Sequence, residues 1–311
     1  MDGVATPNIY SELPVKVQKA LEKVVYRLRG LDLRPLDETP LYKPSVHFLI
    51  NRGKLARPIL VLMGSYIAGG DPLNVIDIAV AIELVHTASL IHDDLIDRDV
   101  ERRGVPTVHV VYGSEYAILA GDVLLAKAIE LIAPHGENIV KCIARAALKM
   151  GAGEALDYMY QAGKKIPTLE EYLKIIEYKT VALIKASAAS GAMAVGGDEK
   201  VVNLLSLYVE NIGLGFQIRD DILNYLGIVD FKPKGKGVKD VDNYRPNIIS
   251  VLKVSEGLTW EEALIKAVHL NNKYTFKAKM IAEELGNKGN ALANYADWFL
   301  LKLEDVKSLV S

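Results

Sequence analysis

Apolar residues recur along this chain at intervals of three and four, and no stretch alternates with the period of two that a half-buried strand requires. Between Pro14 and Leu28, Val15, Leu21, Val25 and Leu28 fall at helical spacings with Lys and Glu between them. The same pattern predicts helices over 56–67, 74–97, 115–132, 138–161, 169–195, 199–226, 260–269, 272–285 and 288–309. Turn formers separate them: Gly69-Gly70-Asp71-Pro72, Pro134-His135-Gly136 and Gly196-Gly197-Asp198. Thr168 followed by Glu171 has the spacing of a capping box, in which each side chain satisfies an orphan amide of the helix start. The stretches 76–91 and 181–195 lack a continuous polar face, which suits helices ringed by others. The small residues of the second permit close helix approach or leave a cavity. The fold expected is all-α: a single-domain helical bundle over residues 1–311 around a central apolar cavity.

Composition narrows the function classes. Lys and Arg total 37 against 39 Asp and Glu, a net charge of −2, so the electrostatic footprint of a nucleic-acid binder is missing. The one cysteine, Cys142, excludes an internal disulfide framework and a cysteine-rich zinc site. Met1–Leu13 lacks a basic stretch leading into an apolar core, and Val75–Ile91 is interrupted by Asp77, Glu83 and His86. The expectation is therefore a cytoplasmic protein with no transmembrane segment. Few glutamines beside plentiful Lys, Glu and Tyr give a weak hint of a heat-adapted source.

The chemistry concentrates at two helix ends. In His86-Thr-Ala-Ser-Leu-Ile-His-Asp93-Asp94-Leu-Ile-Asp97, aspartates spaced by three and four share a helix face at the C-terminal end, where the macrodipole already disfavours negative charge. Such carboxylates need cations, and Mg²⁺ takes oxygen ligands from carboxylates together with substrate phosphates. By itself this segment reads equally well as a solvated acidic end capped by Arg98 and Arg102. Phe216-Gln217-Ile-Arg-Asp220-Asp221-Ile-Leu-Asn224 repeats the arrangement, and two such ends suit a multi-metal site for a highly charged ligand. Cations accompany them: Arg102-Arg103-Gly104, Lys179-Thr180, Gly53-Lys54-Leu55-Ala56-Arg57-Pro58, and Lys232, Lys234, Lys236, Lys239 and Arg245 in a late basic segment. Any one is an ordinary surface charge; together they fit a diphosphate with magnesium.

In this order the motifs resemble the trans-isoprenyl diphosphate synthase family, over about Gly53 to Asn247. Asp93, Asp94 and Asp97 match its DDxxD motif, Lys179-Thr180 its Lys-Thr pair, and Phe216-Gln217 with Asp220-Asp221 its FQxxDD motif. The resemblance implies an isoprenoid synthase-like fold and a Mg²⁺-dependent head-to-tail (1'-4) condensation of isopentenyl diphosphate with an allylic diphosphate, with several Mg²⁺ ions per site. It implies catalytic roles for Asp93, Asp94, Asp97, Lys179, Asp220 and Asp221, with Asp93, Asp97 and Asp220 as the metal ligands. Arg102, Lys179, Thr180, Gln217 and Lys232 are the residues implied for the allylic diphosphate, and Lys54, Arg57, His86 and Arg103 for isopentenyl diphosphate. A homodimer is implied as well.

The chain departs from the family pattern at Leu55, where an arginine is usual, at Asn224, where the second motif usually ends in Asp, and at Arg245. These departures keep open a low-activity or regulatory subunit of a heteromeric synthase. A terpene cyclase or head-to-head synthase is the other alternative, though neither needs the second cationic set. In the family the growing tail runs beside the first aspartate helix. The positions before Asp93, namely Ser89, Ala88 and, one turn further back, Val85, carry no aromatic floor. The product expected is geranylgeranyl diphosphate (C20) or longer.

Overall fold

The computed structural model describes residues 12–50, 53, 55–229, 232, 233 and 247–308. Helices dominate, and the described strands form two short antiparallel ladders of two residues a side, so the chain is all-α. By contact density the chain divides into two compact groups: Pro14–Ala147 with Ala186–Val202, and the described parts of Leu148–Lys185 and Asn203–Ser311.

The first group contains α1 (Val15–Arg29), α2 (Tyr42–Ile50), α3 (Ala56–Ile67), α4 (Ile76–Asp97), the ladder β1 (Glu101–Arg102) with β2 (Val105–Pro106), α5 (Val108–Tyr112), α6 (Ser114–Ile132) and the start of α7 (Glu137–Gly163). Helix α4 is its axis, with α1, α3 and α6 packed around it. Ile78, Ala79, Val80, Ala81, Ile82 and Leu84 are all fully buried, a run that covers every face of the helix as its missing polar face predicts. The length and hydropathy of α4 would suit a membrane span, yet it is wrapped in protein and ends in carboxylates. The small residues of Ala186–Val202 serve close approach: a Cβ built on Gly191 would lie 1.9 Å from the Val61 carbonyl oxygen of α3.

The second group contains α8 (Leu169–Ile176), a π turn (Glu177–Val181), the start of α9 (Ala182–Met193), most of α10 (Glu199–Tyr225), β3 (Ile228–Val229), β4 (Lys232–Pro233), α11 (Ile248–Glu256), α12 (Trp260–Glu284), α13 (Asn290–Asp297) and α14 (Leu303–Ser308). Its core joins Ile218 and Ile222 of α10 to Ile248, Val251 and Leu252 of α11 and Ala267 and Val268 of α12. The Thr168–Glu171 capping box opens α8 as the spacing predicts.

Three parts of the periodicity reading change. Helices α2, α5 and α11 are present where none is predicted. The two helices expected over 260–269 and 272–285 are one, and the helix expected over 288–309 is interrupted after Asp297. The last two differences share a cause. Asn271 Nδ2 donates to the Phe299 carbonyl at 2.8 Å and Asn272 Nδ2 to the Leu301 carbonyl at 2.7 Å, while Leu301 N donates back to Asn272 Oδ1 at 2.9 Å. The asparagine pair that reads as a helix break instead stays helical and satisfies the irregular backbone after α13.

Candidate active site

In the first group, Asp93, Asp94 and Asp97 occupy the last turn and a half of α4, which stops where Arg98 enters the left-handed region at φ 57°. Neighbours on a helix point about 100° apart, so Asp93 and Asp94 cannot share a face, whereas Asp93 and Asp97 do. Asp93 and Asp97 are part-exposed; Asp94 is fully buried. Arg102 Nε donates to Asp94 Oδ1 at 2.6 Å, with NH2 2.5 Å from the same oxygen. The other carboxylate oxygen, Oδ2, is buried without a hydrogen-bond partner. Burial pushes the Asp94 carboxyl up to about 6, against the pull of the Arg102 guanidinium.

The chain returns through β1 and β2, and Arg103 and Gly104 between them both have positive φ, 56° and 79°. Two such residues linking antiparallel strands make the primed turn whose twist matches the strands, and glycine at the second position avoids the backbone strain that a side chain brings at positive φ. The side chain of Thr107 holds the far end, its Oγ1 donating to the Asp99 carbonyl at 2.7 Å.

Arg57 at the start of α3 and His86 on α4 meet, with Arg57 NH1 2.9 Å from His86 Nε2. A guanidinium only donates, so Nε2 accepts and the imidazole proton sits on Nδ1. Burial, followed by the charges of Arg57, Arg103 and Arg102, holds His86 well below its ordinary 6.5, so the ring is neutral. Arg103 is lowered by its own burial and sustained by the carboxylate of Glu83, a 4% exposed residue one turn before His86. Sequence reasoning treats Glu83 only as an interruption of an apolar run; its spacing of three from His86 is the signal that places it beside the cations.

In the second group, Asp220 and Asp221 repeat the division on α10: Asp220 is exposed and Asp221 is 8% exposed. Asp221 Oδ2 accepts from the Tyr172 hydroxyl at 2.5 Å and the Ile248 amide at 2.8 Å, and Oδ1 accepts from Gln217 Nε2 at 3.1 Å. Burial pushes this carboxyl up to about 7, and its donors act in the opposite direction. Asp221 thus ties α8, α10 and the start of α11 together. Thr180 Oγ1 donates to Gln217 Oε1 at 3.3 Å, which extends the chain of bonds to the π turn. Asn224 Nδ2 lies 3.4 Å from Asp220 Oδ2, a weak attraction where a second aspartate would repel. Lys179 lies between Glu154 Oε2 at 2.6 Å and Asp157 Oδ2 at 2.7 Å, two carboxylates of α7 absent from the expected site residues.

The polyprenyl synthetase family model matches residues 38–283, which include both aspartate motifs and most of the chain. The chain belongs to the polyprenyl synthetase family. The short chain isoprenyl diphosphate synthase of Methanocaldococcus jannaschii is 41% identical over 217 residues, 68% of this chain and 65% of that protein, so the match spans just under two thirds of that relative's length. The geranylgeranyl diphosphate synthase of Sulfolobus acidocaldarius is 36% identical over 269 residues, 84% of this chain and 79% of the other. Among solved structures, the geranylgeranyl pyrophosphate synthetase of the archaeon Geoglobus acetivorans superposes with a TM-score of 0.80 at 28% identity, covering 92% of this chain and 99% of that one.

The residues expected of a polyprenyl synthetase family member are distributed as follows. Arg57, His86 and Arg103 form one linked cationic cluster with Glu83. Arg102, expected at a diphosphate, is committed in this structure to Asp94, and Thr180 and Gln217 are linked to Asp221. Val85 and Ala88 are packed inside α4's surroundings, while Ser89 is part-exposed and its Oγ donates to the His86 carbonyl at 2.8 Å. Leu55, at the departure from the family pattern, is buried in a left-handed conformation at the head of α3. Lys54, Lys234, Lys236, Lys239 and Arg245 lie outside the described residues, and of Lys232 only the backbone in β4 is described.

Proposed function

We propose that this chain is a prenyltransferase that condenses isopentenyl diphosphate head-to-tail (1'-4) with an allylic diphosphate, giving a C20 or longer product, and that it works as a cytoplasmic homodimer built as a single isoprenoid synthase-like domain. The observation that carries the reading is the shared division of the two acidic motifs. In each, one aspartate is tied into the interior by hydrogen bonds while its neighbour stays accessible, and the first group also carries a separate arginine–histidine cluster suited to a second anion.

The accessible carboxylates suit Mg²⁺. Asp93, Asp97 and Asp220 offer hard oxygen donors, and Asp93 and Asp97 stand one helical turn apart. Among the described residues no three Asp, Glu, His or Cys side chains converge on one point. Magnesium needs no such cage, since it keeps waters and shares its remaining positions with phosphate oxygens. Asp93, Asp97 and Asp220 would hold the ions, and bound Mg²⁺ would supply charge neutralisation of the departing diphosphate.

The protein's own groups account for the rest. Arg57, neutral His86 through Nδ1–H, and Arg103 bind isopentenyl diphosphate, with Glu83 keeping the cluster from excessive self-repulsion. Lys179 and Arg102 add positive charge toward the allylic diphosphate, and Thr180 and Gln217 orient the side chains about it. Breaking the allylic C–O bond leaves a cation at C1; the double bond of isopentenyl diphosphate attacks it, and loss of a proton from the adjacent carbon restores neutrality. Fixed cations and dipoles aimed at the leaving group lower that barrier because they need no reorganisation as charge develops.

The test is an incubation of purified protein with Mg²⁺, isopentenyl diphosphate and allylic primers of several lengths, followed by chromatography of the dephosphorylated products. A C20 or longer prenyl alcohol is the expected outcome. Cyclised hydrocarbon from an allylic diphosphate alone, or no consumption of isopentenyl diphosphate, would sink the reading.

A further inference from the structure

Lys179 lies within a π turn, Glu177–Val181, a widened helical turn of the kind that accumulates at functional sites. Helix α7 comes against that turn at Gly153: a Cβ built there would stand 2.4 Å from the Lys179 backbone nitrogen, so no larger residue fits without moving one of the two segments. The next residue, Glu154, and Asp157 three positions later share a face of α7. Their carboxylates meet the Lys179 ammonium at 2.6 and 2.7 Å. The side chains of all three are at most 27% exposed, so solvent screens these pairs less than it screens surface pairs. Neither carboxylate belongs to an aspartate motif, and the cluster carries one positive against two negative charges. A lysine is a point charge on a long flexible stem, poorly defined in position unless its surroundings fix it.

We propose that Glu154 and Asp157 are positioning residues: they fix the Lys179 ammonium where it meets the diphosphate of the allylic substrate, and Gly153 permits the helix approach that brings them there. The proposal rests on the prenyltransferase reading above and assigns the two carboxylates to its allylic half. They act through Lys179 alone, so their effect disappears when the lysine is absent.

A double-mutant cycle reads this out. Asp157→Ala lowers kcat/KM for the allylic diphosphate by roughly tenfold, and in a Lys179→Ala background the same change costs less than about twofold. Asp157→Asn, which keeps an acceptor oxygen, recovers to within about threefold of the original value, and KM for isopentenyl diphosphate moves by less than about twofold in either variant. Glu154→Gln and its combination with Lys179→Ala give a second cycle should Asp157→Ala melt early by circular dichroism. Equal losses in both backgrounds, or unaltered allylic kinetics in Asp157→Ala and Glu154→Gln alike, overturn the proposal. Should the unmutated protein transfer no prenyl group, the function reading fails on its own. The cycle is then read on affinity for inorganic pyrophosphate with Mg²⁺ by titration calorimetry. Coupling between position 157 and Lys179 upholds the positioning role, and its absence rejects it.

Discussion

At the scale of single residues, a helix of 3.6 residues per turn forces adjacent aspartates apart, and in both motifs the inward one is anchored while the outward one stays accessible. His86 shows the opposite economy, a titratable ring kept neutral by burial and neighbouring arginines. Its folded pKa lies below the unfolded 6.5, so at this ring the unfolded chain binds more protons in mild acid, and the stability that His86 contributes declines as the pH falls below 6.5. Urea unfolding at pH 7 and pH 5 is expected to show less of this pH-dependent loss in His86→Gln than in the parent protein. Under the proposed function, product length is expected to depend on single residues of α4 as well. Ser89 is part-exposed, so Ser89→Phe is expected to shorten the prenyl chain in the chromatographic assay. Ala88 is fully buried, so Ala88→Phe overpacks α4 and destabilises the protein by about 1–3 kcal/mol, visible as a lower melting temperature.

At the scale of elements, the short hairpin after α4 carries Arg102 toward Asp94 and Arg103 toward the cationic cluster, from strands of only two residues each. Its geometry depends on the positive φ of Gly104, which is 79° with no atom close enough to object to a Cβ. Gly104→Val therefore acts through backbone strain, about 1–2 kcal/mol, and is expected to raise KM for isopentenyl diphosphate and for the allylic substrate together, because the hairpin carries both Arg103 and Arg102. Most helices were legible because burial of one face imposes the 3.6 period on sequence. Helix α2 escaped because Tyr42-Lys43-Pro44-Ser45 opens it with a proline and no apolar repeat. The continuous α12 escaped because asparagine reads as a breaker unless its amide has a distant partner, as Asn271 and Asn272 have in the 299–301 backbone.

At the scale of the whole molecule, the two compact groups each carry one acidic motif, and the proposed reaction needs both. Residues acting on one transition state are not additive: Asp93→Asn and Asp220→Asn are each expected to lower kcat by two orders of magnitude or more, about 10²-fold, with the double variant little worse than either. A chelator in the assay is expected to abolish turnover and excess Mg²⁺ to restore it. By itself the sequence determined the helical class, the positions of most helices, the family, and the kinds of side chain that the proposed diphosphate chemistry calls on. These follow from spacing within a few residues, where helix periodicity and local chemistry act. Tertiary packing alone decided that Asp221 is anchored by Tyr172 and Ile248, that burial against Arg57 keeps His86 neutral, and that Lys179 answers to Glu154 and Asp157. Those partners stand more than twenty positions apart, and no local pattern encodes a contact that exists only once helices have packed.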